Sequence, residues 1–265
     1  MALIRLARDA FRHRRLLVEL VRRDVRGRFA GSRFGLFWSV LNPLVQLVSY
    51  GAIFGLVYRA ADDAPRGTFV ATLFCGLWPW WAFQEGTMRG LTALVDQAPL
   101  LKKAPLPPAL CVLAGVGGSF VLQTIGFLLF LAVFAAAGIV APSPRLWLLP
   151  GVLGVALLLT AGTALVVAPL YLVVRDTIHV ANALLTLLFF ASPVLYRIES
   201  LPAALRPIAE LNPIAGVIGL YRVVVLGMPM TSTTPLVSML VALVASWLIG
   251  ALLLARLEGF LDEYW

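Results

Sequence analysis

The chain is poor in the residues that soluble enzyme chemistry relies on. Only two histidines, two cysteines and thirteen acidic residues are spread over 265 positions. His13 sits among arginines and His179 at the edge of an apolar run, and neither has a Cys or Asp at ligand spacing, so no metal centre is expected. Cys75 and Cys111 fall at opposite depths of two successive apolar runs, which argues against a disulfide and makes both packing residues. A G-x-x-x-x-G-K-[ST] phosphate loop is absent, so the chain does not hydrolyse ATP by that route. The apolar runs hold no series of Asp, Glu or His able to relay protons or gather sodium. No repeat relates the first three runs to the last three, as a secondary carrier often shows. A removable signal is not expected either, because the first long apolar run begins only at Phe34 and continues to full span length.

What the sequence does have is apolar length. Hydrophobic residues make up 61% of it and charged ones 13%. A hydrocarbon core about 30 Å thick takes about 20 helical residues to cross. Phe34 to Tyr58, Thr68 to Val95, Ala109 to Val140, Trp147 to Val174, His179 to Tyr196 and Leu236 to Ala255 each approach or exceed that. The expected fold is all-α: a polytopic membrane protein with six transmembrane helices forming one transmembrane domain over residues 34–265. Leu201 to Met230 is apolar on average but broken by Pro202, Pro207, Pro213 and Pro229, and it carries Arg206, Glu210 and Arg222. It reads as a re-entrant pair of short helices between spans 5 and 6, entering and leaving on the outer side. Non-helical backbone at membrane depth has to be buried in protein or line a wet cavity.

Ten of the 21 basic residues precede Phe34: Arg5, Arg8, Arg12, Arg14, Arg15, Arg22, Arg23, Arg26, Arg28 and Arg33. Residues 1–33 form the expected amphipathic interfacial segment, one or two helices. Leu3, Leu6, Ala7, Ala10, Leu17, Val21 and Val25 share one face of it, and most of the arginines lie opposite. Arg14 falls on the apolar face, which marks a break or a snorkelling side chain. The arginine cluster reads as a lipid-headgroup anchor rather than a nucleic-acid site, and it puts the N-terminus in the cytoplasm. Asp62, Ser143 and Thr231 are then expected outside, and Lys102, Arg175 and Glu263 inside.

Three constellations stand out within the spans. Glu85 and Arg89, four apart on the second span, neutralise each other or mark a polar point on a water-filled route. Trp78, Trp80, Trp81 and Phe83 cluster around Pro79 in the same span; they are core or interfacial belt, or aromatic faces lining a sugar passage. Asn42 with Pro43 marks a kink with an interhelical polar contact. Gly115, Gly117 and Gly118, and Gly151 and Gly154, favour close helix packing within the chain or between copies.

Three stretches together resemble the membrane permease subunits of type-2 ABC exporters, particularly those of capsular polysaccharide, O-antigen and teichoic acid. VRRDVRGRFAGSRFGLFWSVLNPLVQ (residues 21–46) is similar to that family's basic helix and aromatic-rich first span. LTALVDQAPLLKKAPLPPAL (91–110) is similar to its cytoplasmic connection to the ATPase. RDTIHVANALLTLLFFASPVLY and LNPIAGVIGLYRVVVLGMP (175–196 and 211–229) are like its fifth span and external re-entrant helices. Ala104 departs from the pattern where relatives often carry an aromatic residue. Pro107 and Pro108 stand where a longer polar segment is common.

The resemblance implies a homodimer in the bacterial inner membrane, both termini cytoplasmic. Two copies of a separate ATPase, holding ATP and Mg, would drive export of a lipid-linked polysaccharide. It implies ATPase coupling through Asp96, Lys102 and Lys103, with Arg22, Arg23 and Arg26 on the interfacial helix. The substrate pathway would run along Trp78, Trp80, Trp81, Phe83, Glu85 and Arg89 toward Tyr196. Rival readings are export of a smaller lipid or drug, a secondary carrier, and an intramembrane protease. The last would need Ser119 and His179 to meet.

Overall fold

The computed structural model describes residues 2–29, 34–58, 66–103, 106–230 and 232–258. Arg33, Asp62, Ala104, Thr231 and Glu263 lie outside these residues. Every regular element among the described residues is helical. In chain order they are α1 (Ala2–Arg12), α2 (Arg14–Phe29), α3 (Gly35–Tyr58), α4 (Arg66–Asp96), α5 (Ala98–Lys103), α6 (Pro108–Ala136), α7 (Leu149–Val173), α8 (Thr177–Ala191), α9 (Arg206–Leu211), α10 (Pro213–Leu226) and α11 (Thr234–Glu258). Short 3-10 turns precede α7 and follow α8.

The interfacial segment breaks at His13, one residue before Arg14, and the Arg14 guanidinium lies 4.9 Å from the centroid of the Phe11 ring. Among the described residues, three stretches are long and apolar enough to cross a membrane: Pro108–Ala136, Pro144–Val173 and Thr234–Leu257. The 24 residues of α3 and 31 of α4 also have the length. Helix α8 is shorter than the run His179 to Tyr196 led one to expect. It stops at Ala191, because Pro193 pushes Ser192 out of the helical region to φ −87, ψ 145. Its 15 residues rise about 22 Å, less than the hydrocarbon core. Between Leu201 and Met230 stand the six residues of α9 and the 14 of α10, each shorter than a crossing. Asn212 caps α10 by accepting from Ile214 N at 3.0 Å, and Gly227 closes it with φ +70.

The core is built around α4, which packs against α6, α7, α10 and, more lightly, α3. Glycines let the helices approach. A Cβ on Gly86 would collide with Thr160 of α7, and one on Gly90 with Ala164 of α7 and Val116 of α6. Gly250 of α11 meets α7 in the same way at Leu165. In an apolar solvent such close contact and dispersion replace hydrophobic collapse as the source of cohesion. The outward faces remain apolar: Val180, Leu184, Leu187 and Phe190 on α8, and Val237, Val241, Val244 and Leu252 on α11 are exposed. Of the two glycine groups, Gly115, Gly117 and Gly118 pack within the chain against α4 and α2. A Cβ on Gly151 or Gly154 would meet no described residue within 4 Å.

Candidate functional site

A cavity of about 510 Å³ opens between α2, α3, α4 and α6. One wall comes from α4, where Trp81, Gln84, Glu85 and Met88 recur at i, i+3, i+4 and i+7 and so share a face. Facing it, α3 contributes Trp38, Asn42, Pro43 and Gln46, and α6 adds Leu122 and Gln123. Two indole rings, four primary amides, a carboxylate and the guanidinium groups of Arg28 and Arg89 therefore meet in one space inside an apolar bundle. Such a lining gives flat apolar faces beside many hydrogen-bond donors and acceptors, the combination that a sugar ring presents in complement.

The structure separates the aromatic cluster. Trp78 is 1% exposed and belongs to the core, with its ring 5.2 Å from Phe74 and 5.0 Å from Phe130 and its Nε1 donating to the Gln123 carbonyl at 2.8 Å. Trp80 is 2% exposed between Phe83 and Phe189, and Phe83 is buried beside it. Neither Trp78, Trp80 nor Phe83 lines the cavity; these three are packing residues, and Trp81 is the member that faces open space. Trp80 supports the wall indirectly, since its Nε1 donates to Gln84 Oε1 at 3.0 Å. Tyr196 lies apart, in the turn after α8, where its carbonyl accepts from Arg222.

Glu85 takes its counter-charge from Arg28 and not from Arg89. Arg28 of α2 donates through Nη1 to Glu85 Oε1 at 2.5 Å and through Nε to Asp24 Oδ2 at 2.9 Å. Its Nη2 donates to Ser119 Oγ at 2.7 Å and reaches the Gly115 carbonyl at 3.5 Å. The other oxygen of Glu85 accepts from Gln123 Nε2 at 2.6 Å. The Arg28 side chain is only 8% exposed and needs counter-charge, whereas Arg89 lies exposed on the cavity wall and can be hydrated. Asn42 and Pro43 do sit on a cavity-facing stretch of α3, but the Asn42 side chain makes no hydrogen bond among the described residues and opens onto the space. Ser119 is fully occupied by the Arg28 network, remote from the role a protease would require.

At the Asp96 end of α4 the chain turns through Gln97 into α5. Thr92 Oγ1 donates to Asp96 Oδ2 at 2.7 Å, and Lys102 and Lys103 are exposed. Arg22, Arg23 and Arg26 are exposed on α2, and Arg23 Nη2 donates to Gln97 Oε1 at 3.4 Å.

Residues 15–226 match a family described as ABC-2 type transporter. The chain belongs to the ABC-2 type transporter family. It is 29% identical to the O-antigen export system permease protein RfbA of Myxococcus xanthus, over 98% of this chain and 100% of that one. A protein of the same name from Klebsiella pneumoniae is 30% identical over 78% of each chain. The polysialic acid transport protein KpsM of Escherichia coli is 25% identical over 82% of this chain and 84% of that one.

In this ABC-2 transporter chain, Arg28 is the residue that sequence reading passed over, as one of ten arginines. The signal was Asp24 four residues earlier, since an acid and a base at i, i+4 neutralise each other and can be buried together. A double-mutant cycle distinguishes the two pairings. For Arg28→Gln with Glu85→Gln, thermal unfolding in detergent is expected to show a coupling of about 1 kcal/mol, modest because the Glu85 side chain is 38% exposed. For Glu85→Gln with Arg89→Gln, the two effects should add.

Proposed function

We propose that this chain is the permease subunit of an ATP-driven exporter that moves a lipid-linked polysaccharide, of capsule or O-antigen type, across a bacterial inner membrane. The observation that carries the reading is the likeness to an O-antigen export permease over 98% of this chain and the whole of that relative. The cavity supports it with the right chemistry: Trp38 and Trp81 offer faces to sugar rings, and Gln46, Gln84 and Asn42 offer amides to hydroxyl groups. Glu85 and Arg89 border the same route, and Tyr196 stands nearer its outer mouth.

In this reading the chain works as a homodimer, with the bare faces of α3 and α8 turned toward the facing subunit. Two copies of a separate ATPase hold ATP and Mg. Both termini are cytoplasmic, and α9 and α10 form a re-entrant pair on the outer side. Closure of the ATPases moves α5, and the displacement passes through α4 and α2 to part the subunits. The polymer then threads through a continuous canal between them.

Affinity-tagged chain, extracted from native membranes, is expected to bring down an ABC-type ATPase in equal amount. Charge reversal by Lys102→Glu with Lys103→Glu should lower the recovered ATPase several-fold, because both lysines are exposed on the short helix that follows α4. An unchanged complex with normal export would remove α5 from the docking site. Recovery of the chain without any ATPase would contradict the exporter reading.

A further inference from the structure

Helix α2 is joined to the transmembrane helices at three levels. Near the Asp96 end of α4, Leu20 of α2 is buried with Leu110 and Ala114 of α6, and Leu100 of α5 packs on the same small cluster. Further along, Gly117 and Gly118 leave notches on α6. A Cβ on Gly117 would stand 3.0 Å from Val21 Cγ2, and one on Gly118 would collide with the Asp24 carboxylate. At the far end, the Arg28 guanidinium enters the bundle and bonds Glu85 of α4 and Ser119 of α6.

We propose that Arg28 is the positioning residue that carries displacement of α2 into α4 and α6, so that the three helices move as one body. The inference rests on the exporter reading, which supplies the force at α5. Withdrawing α2 on every cycle would carry Asp24 away with Arg28 but leave the Glu85 carboxylate, half-buried on the cavity wall, without its counter-charge. A motion that keeps the network whole avoids that cost. Val21 and Asp24, seated in glycine notches, oppose sliding of α2 along α6. Because Glu85 and Gln123 are walls of the cavity, any displacement of Arg28 reshapes it directly. A buried arginine spent only on headgroup anchoring would have no such partners.

The test uses the complex with its ATPase in the native host. Arg28→Gln should assemble and hydrolyse ATP at the normal rate while polymer exported per ATP falls about tenfold, with Arg28→Lys between the two. A normal export-to-hydrolysis ratio in Arg28→Gln would overturn the inference. Val21→Cys with Gly117→Cys suits a disulfide, since a Cβ on Gly117 stands 3.0 Å from Val21 Cγ2, where the new sulfur would sit, and the native Cys75 and Cys111 are buried and do not compete. Export is expected to be the same with this pair oxidised or reduced. Export that stops on oxidation and returns with reductant would mean that α2 must slide on α6, and would overturn the inference even if Arg28→Gln failed to accumulate. These results leave the exporter reading standing; failure of the unmodified chain to recover an ATPase would remove both.

Discussion

Trp78→Ala is expected to remove most of the folded protein, while Trp81→Leu leaves folding intact and lowers polymer at the cell surface. Trp78 stands where α4, α6 and α10 meet: its ring contacts Phe74, Phe127 and Phe130, and Tyr221 of α10 packs edge-on to Phe127. Truncating a fully buried tryptophan costs about 3–5 kcal/mol, the sum of lost contacts and the cavity that remains. Because lipid tails are as apolar as the core, the loss here is mainly of packing, and nothing in the bilayer replaces it. The Gln123 carbonyl loses its indole donor as well. Trp81 bears on open space, so leucine keeps apolar bulk and deletes only the flat face. Size-exclusion profiles and thermal unfolding of the two purified variants, beside surface polymer, make the comparison. Equal folding of the two would contradict the assignment of Trp78 to the core; full export by the Trp81 variant would take Trp81 off the glycan route.

Gly76→Val is the second large effect, and its cause is backbone rather than side chain. Any Cβ at this position runs into the Val194 carbonyl oxygen, with the Val194 Cα and carbonyl carbon 3.1 Å away. The turn that carries Val194 cannot retreat. Its Ser192 hydroxyl accepts from Asn212 at 2.7 Å, the Pro193 carbonyl accepts from the Arg222 guanidinium at 2.7 Å, and Val194 itself is buried. Overpacking a rigid site costs about 1–3 kcal/mol, and a β-branched residue against backbone belongs at the upper end. Folded yield should fall sharply, and α10, bonded to the same turn, should lose protection from proteolysis with it. Gly51→Ala provides the contrast, since a Cβ there meets no described residue within 4 Å and alanine gains about 1 kcal/mol of helix propensity. Similar losses at both positions would show that the Val194 contact is not what matters.

The helices were largely legible in the sequence, because apolar length and proline placement act locally. Pro193 ends α8 early for a reason that is visible in the sequence itself, and the break between α1 and α2 follows from Arg14 falling on the apolar face. Partners across helices were not legible. Nothing in the spacing of Glu85 says that its counter-charge comes from Arg28, 57 positions earlier, because that pairing depends on how α2 seats on the α6 glycines. The division of the tryptophans lay in between. Trp81, Gln84, Glu85 and Met88 form a polar stripe at helical spacing, and Trp38, Asn42 and Gln46 recur every fourth residue on α3. Reading those stripes together would have singled out Trp81 from Trp78, whereas grouping the aromatics by proximity in sequence did not.

The most direct test of the central claim is where the polymer goes when this chain is removed from its native host. Depletion should leave the glycan inside the cell, still joined to its lipid carrier, with little at the surface, and the wild-type chain should restore it. Undiminished surface polymer in depleted cells, with no lipid-linked material accumulating inside, would contradict the account.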